Sequence, residues 1–202
     1  MECSLAMNFG SFALVATDQT SARSILVMKE TYDKTYALSD HLLLSVTGES
    51  GDTSQFAEFI AKNIQLFKMR NGYQLSPKAA TNFTRRNLAD YLRSRTPFMV
   101  NLIIAGYDKE KEGCELYYMD YLAANVKVPY AAHGYGGFFT TAIMDRDYRP
   151  DMNETEAYEL MKACVREIQK RLIINLPNFQ IKRVDKDGIH RLPDITVKNV
   201  DN

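Results

Sequence analysis

Hydrophobic and polar positions along the chain fall into blocks of two periods. Residues 11–16 (SFALVA) are nearly all apolar and end at Thr17-Asp18, the pattern of a short strand covered on both faces. Residues 24–29 (SILVMK) and 41–48 (HLLLSVTG) read the same way. From Asp52 the period changes. Phe56, Phe59, Ile60, Ile64 and Phe67 share one helical stripe, and Asn71-Gly72 supplies a stop. Ser76-Pro77 reads as an N-cap followed by the first residue of a second helix. Ala80, Phe83, Leu88, Tyr91 and Leu92 line that helix, which must end before Pro97. Residues 98–108 predict a strand, 109–113 (KEKEG) a charged turn, and 114–122 the returning strand of a hairpin. After the Gly-rich run at 131–137, Phe138 to about Arg146 predicts a third helix. Asn153 with Glu156 three residues on is a capping-box pattern. It opens a fourth helix carrying Ala157, Leu160, Met161, Cys164, Ile168 and Leu172. Residues 179–192 predict a final hairpin about Asp187-Gly188.

Strands, two helices, two strands, two helices and strands again imply helical layers on both sides of a sheet sandwich, an α+β, four-layer fold. With no repeat, low-complexity run or linker, one domain over 1–202 is expected. Residues from about 193 to 202 form a tail too poor in apolar side chains to add much core, so it docks on a neighbour or stays disordered.

Composition narrows the function. The 202 residues are 46% hydrophobic and 25% charged, ordinary for a globular protein, and 25 basic residues against 25 acidic ones leave no net charge. Nucleic-acid or membrane-surface binding driven by charge is therefore not expected. Cys3, Cys114 and Cys164 are widely spaced and show no metal-ligand pattern, so they read as reduced thiols of a cytosolic or nuclear protein. His41, His133 and His190 are scattered, and neither a metal nor a cofactor is expected. The apolar runs are too short to span a bilayer, and the start MECSLAMNFGS reads as neither signal peptide nor leader.

Residue chemistry alone yields no active site. Asp18 reads as a turn-initiating aspartate before it reads as a catalytic one. Lys34, in TYDKTY, reads as solvated. HGYGG reads as a turn before a helix, lacking both a P-loop lysine and the G-x-G-x-x-G spacing. Asp108, Asp120, Asp145 and Asp185 show no acid/base pairing.

Longer segments carry more. GESGDTSQFAEFIAKNIQLFKMRNGYQLSP (48–77) and NFTRRNLADYLRSRTPFMVNLIIAGYD (82–108) resemble the two first helices and following strand of proteasome beta subunits. LYYMDYLA, PYAAHGYGGF, MDRDYRPDM and VDKDGI continue the resemblance in register along essentially the whole chain. It implies the αββα sandwich of N-terminal nucleophile hydrolases. Active members attack the scissile carbonyl with an N-terminal threonine freed by self-cleavage. The amine or a water takes the proton, an Asp and a Lys balance charge, and a Ser, a further Asp and a further Ser complete the network. Carried over position by position, the Asp falls on Asp18, the Lys on Lys34 and the nucleophile on Glu2. The first Ser falls on Tyr135, the further Asp on Leu172 and the last Ser on Asn175.

The resemblance thus implies no catalytic residue: Glu2 offers no neutral hydroxyl or thiol, and Leu172 can neither accept nor relay a proton. Asp18 and Lys34 remain as a structural pair. The implied role is a non-catalytic structural beta subunit of the 20S core particle. Its partners would be the other alpha and beta subunits of a twenty-eight-subunit hetero-oligomer, with assembly chaperones, in cytoplasm and nucleus. Helix faces at about 52–71, 77–95, 138–147 and 155–172 would meet those partners and carry the exposed apolar residues. Two other readings differ: a hydrolase using Cys3 after loss of Met1 and Glu2, and a free-standing α/β binding module. Register opposes the first, because one step along a strand turns a side chain to the opposite face.

Overall fold

The computed structural model describes residues 2–23 and 26–200. Among them the chain runs β1 (Cys3–Asn8), β2 (Phe12–Asp18), β3 (Ser21–Arg23), β4 (Leu26–Lys29), β5 (Thr35–Ser39) and β6 (Leu42–Gly48). Helices α1 (Ser50–Asn71) and α2 (Pro77–Leu92) follow, then β7 (Val100–Asp108), β8 (Gly113–Met119), β9 (Asn125–Lys127) and β10 (Tyr130–Gly134). The last elements are α3 (Gly137–Asp147), α4 (Glu154–Arg171), β11 (Asn178–Asp185) and β12 (Gly188–Thr196). One antiparallel sheet has the order β10-β1-β2-β11-β12, a second has β5-β6-β7-β8-β9, and β3-β4 form a separate ribbon.

The two-residue period of the strands sorts side chains into layers. Cys3, Leu5 and Met7 of β1, with Leu14 and Ala16 of β2, pack under α3 and α4 against Met144, Leu160, Met161, Val165 and Ile168. Their neighbours Ala6, Ala13 and Val15 face the other sheet and meet Leu43, Ile103, Ala105 and Leu116. The outer face of that sheet, with Leu42, Leu44, Val46, Leu102 and Ile104, packs against Phe56, Ile60, Ile64, Ala80 and Leu88 of α1 and α2. The four-layer αββα order expected from the element sequence is the one adopted.

Helix ends follow the signals in the sequence. Gly72 closes α1 at φ 76°, its N–H donating to the Lys68 carbonyl. The Ser76 hydroxyl accepts from the Ala79 N–H ahead of Pro77. Asn153 and Glu156 form a reciprocal capping box on α4.

Elsewhere the structure departs from the sequence pattern. β1, β5, β9 and β10 carry no clear apolar alternation: Ser4, Ala6 and Ala131 are small because two sheets meet over them. Of the strand expected at 24–29, residues 24 and 25 lie outside the described residues. The remainder, β4, is exposed along its length instead of covered, because it pairs only with β3. The segment after Leu192 is no loose tail. β12 continues to Thr196, Ile195 is fully buried, Val200 is 4% exposed, and Arg166 donates to the Val200 carbonyl. Both side chains join the core beneath α4, Ile195 because β12 pairs along β11 and Val200 because the chain turns after Thr196, the Val200 N–H donating to the Thr196 carbonyl at 3.0 Å; residues 201 and 202 lie outside the described residues. Exposed apolar side chains also reach beyond the helix faces. Phe59, Leu66, Met69 and Phe138 lie on helices, but Leu26, Val27 and Met28 lie on β4, and Tyr121 and Leu122 on the β8–β9 connection. Among the described residues no helix is long and apolar enough to cross a membrane.

Two outcomes test this packing. Ile195→Ala should cost about 2–5 kcal/mol by urea unfolding, the range for a buried aliphatic truncation; a disordered tail would show no change. His133 of β10 is 5% exposed, stacks on Tyr118 at 4.2 Å, and has Nε2 3.2 Å from the Leu102 carbonyl oxygen. Burial pushes its pKa from 6.5 down to about 4. The unfolded chain therefore binds more protons between those values. The neutral ring's contribution is full above pH 6.5 and is lost as pH falls toward 4. His133→Phe should flatten that limb of the stability profile, by on the order of 3 kcal/mol.

Candidate functional site

Alternation along β1 decides what the first residues face. Cys3 turns down toward α3 and α4, so Glu2 and Ser4 turn toward the second sheet, where the Ser4 and Ser45 hydroxyls lie 2.6 Å apart. Three chain segments converge beside Glu2: the end of β2 at Asp18, the β4–β5 connection with Lys34, and the end of β6 at Gly48.

Lys34 is 2% exposed and Asp18 is fully buried. The Lys34 Nζ donates to Asp18 Oδ2 at 2.7 Å and to the Thr20 carbonyl at 2.8 Å, and lies 3.4 Å from Glu2 Oε1. Asp18 Oδ1 accepts from the Cys3 N–H at 2.7 Å, and Oδ2 accepts from the Thr20 N–H at 3.2 Å. Burial raises the Asp18 carboxyl above its usual range, opposed by the Lys34 ammonium and the Cys3 N–H. The turn reading of Asp18 survives in its bond to Thr20, but the residue is chiefly half of a buried ion pair. The solvated reading of Lys34 is wrong. Local sequence hides the reason: Asp33 anchors the connection by accepting from the Thr35 N–H at 2.9 Å and from Lys182 Nζ of β11 at 2.7 Å. That leaves the next side chain pointing inward.

Glu2, with its side chain 19% exposed, uses its second oxygen as well: the Gly48 N–H donates to Oε2 at 2.8 Å. Only glycine fits at 48, where φ is 148° and a Cβ would stand 2.1 Å from the Met99 carbonyl oxygen. Gly134 is constrained alike, at φ 79° with a Cβ position 1.9 Å from the Glu2 carbonyl oxygen. The Gly-rich turn is therefore pressed against the backbone of the first strand.

The remaining residues singled out in the sequence are not drawn into this cluster. Tyr135 lies on that turn with its side chain 51% exposed. Leu172 caps α4, its N–H donating to the Ile168 carbonyl at 2.8 Å, and packs against the core under the helix. Asn175 is exposed in the connection from α4 to β11. Cys3 is fully buried on the opposite face from Glu2, and burial together with the Asp18 charge pushes its thiol up, away from the reactive thiolate. Sequence reading missed Gly48, whose N–H is an oriented donor. It closes the apolar run 41–48, where it reads simply as the end of a strand. Among the described residues, no three His, Cys, Asp or Glu side chains converge to hold a metal.

An αββα sandwich whose first strand begins over a buried Asp–Lys pair has the architecture of the N-terminal nucleophile hydrolases. The family model described as proteasome subunit matches residues 2–184. Proteasome subunit beta type-4 of Saccharomyces cerevisiae is 46% identical over 194 residues, 96% of this chain and 98% of that one. Proteasome subunit beta type-2-B of Arabidopsis thaliana is 49% identical over 188 residues, 93% of this chain and 94% of that one. A probable proteasome subunit beta type-4 of Schizosaccharomyces pombe is 45% identical over 192 residues, 95% of this chain and 99% of that one. The chain belongs to the proteasome subunit family, as a beta subunit of the core particle.

Removing the ammonium tests the pair. Lys34→Met should destabilise by roughly 3–5 kcal/mol, because Asp18 is left buried without its partner. Burial then acts on Asp18 against the backbone N–H donors alone, so the folded state keeps a proton that the unfolded chain releases above about pH 4. Folded protein binding more protons means stability falls as pH rises. Urea midpoints should show a larger deficit at pH 7 than at pH 5, and equal deficits would contradict the pairing.

Proposed function

We propose that this beta subunit is a non-catalytic structural member of the 20S core particle, needed to complete the ring and enclose the chamber in which neighbouring subunits degrade ubiquitin-tagged and unfolded proteins. The observation that carries this is the Glu2 carboxylate, held against Lys34 and the Gly48 N–H where an attacking group would have to stand. An ionised carboxylate brings no hydroxyl proton for a base to remove. Its attack on a peptide would have to expel an amine while forming an anhydride. The carboxylate is much the better leaving group, so such an adduct collapses back to substrate. The positions filled by Tyr135, Leu172 and Asn175 supply no replacement: an exposed phenol, a half-buried aliphatic side chain packed against the core and a solvent-facing amide.

On this reading Asp18 and Lys34 are vestigial as chemistry and retained as structure, and residues 1–202 act as one beta-subunit domain. The partners are the other alpha and beta subunits of a twenty-eight-subunit particle that as a whole is a threonine endopeptidase. Assembly chaperones act before completion, and the setting is cytoplasm and nucleus. Apolar surface supports burial against partners: Met69 is 82% exposed, Phe138 83%, Ile173 99% and Met28 72%.

Intact-mass analysis of every chain, after treating the assembled particle with a peptide epoxyketone, tests the reading. Adducts should appear on neighbouring chains and none on this one. A mass gain on this chain would overturn the non-catalytic role.

A further inference from the structure

The Glu2 carboxylate is seated as a bound ligand would be. One oxygen takes the Gly48 N–H at 2.8 Å, and the other faces the Lys34 Nζ at 3.4 Å. Neither donor depends on Glu2 for its position. Lys34 is held by Asp18 Oδ2 and by the Thr20 carbonyl. Gly48 is the last pairing residue of β6, opposite Val100 of β7, in a conformation and contact that only glycine satisfies. The Glu2 side chain is 19% exposed, so the place it fills borders solvent.

We propose that Gly48 and Lys34 form a carboxylate-binding pocket that the chain closes with its own Glu2. The inference rests on the non-catalytic reading of the same site and adds how the site is kept shut. Peptides passing along this surface present carboxylate and carbonyl oxygens, and the oriented N–H would donate to either. Asp18 already offsets most of the Lys34 charge, so a free carboxylate is held weakly. Glu2 prevails because it is tethered: an attached group competes at an effective concentration in the millimolar range or above. Freed of Glu2, the pocket should take a small carboxylate with a midpoint on the order of 10 mM.

The test follows the Gly48 amide resonance of the full chain, labelled with 15N-glycine, during titration with sodium formate. Sodium chloride at matched ionic strength serves as the control. Glu2→Ala should show a saturable formate-dependent shift. Glu2→Asp, one methylene too short to span the pocket, should do the same and serves if the alanine variant fails to fold. Wild type and Glu2→Gln, whose side-chain oxygen can still accept from Gly48, should show none. No shift in either opened variant up to about 100 mM formate, ten times the expected midpoint, would overturn the proposal. An equal shift in wild type, or with chloride, would do so too. An epoxyketone adduct on wild type would strike the non-catalytic reading, whereas an unresponsive Gly48 amide in the opened variants strikes this pocket alone.

Discussion

A lysine and an aspartate, both removed from water, set the terms for everything at the start of this chain. Lys34 and Asp18 meet at 2.7 Å where segments of both sheets converge. Each would be costly to bury alone, and the desolvation is offset because the two pair with one another and with backbone groups around them. The Thr20 carbonyl takes a second ammonium hydrogen, and the backbone N–H groups of Cys3 and Thr20 complete the carboxylate. The bond from Cys3 fixes the start of β1, and with it the direction in which Glu2 points.

From that point parity propagates. With Cys3 committed to the core under α3 and α4, alternate residues of β1 must face the second sheet. There the space admits only Ser4 and Ala6. The seam between sheets is packed by small and medium side chains, and the Ser4 and Ser45 hydroxyls meet across it. The same alternation separates Glu2 from Cys3. One is a carboxylate meeting donors at the sheet ends, the other an inert thiol in an apolar layer.

The site therefore keeps the architecture of its family, with the Glu2 carboxylate held against Lys34 and the Gly48 N–H. A beta subunit has to hold its shape among the neighbours it assembles with. The exposed apolar residues on α1, α3 and β4 give it surface to bury in doing so.

Much of this was legible in the order of residues. The stripes and caps of α1, α2 and α4, the hairpins β7–β8 and β11–β12, and the four-layer order follow from contacts within a few residues. Such contacts repeat with a period that the order of apolar and polar residues reveals. Family membership was equally legible, because long segments match in register. The inward turn of Lys34, the Gly48 donor, the exposure of β4 and the burial of Ile195 and Val200 were not. Lys34 and Gly48 depend on partners far along the chain, 16 residues separating Lys34 from Asp18 and 46 separating Gly48 from Glu2, whereas β4 is left exposed with the adjacent β3 as its pairing strand. A lysine looks the same in sequence whether its ammonium meets water or a buried carboxylate, and only the folded arrangement of the strands decides which.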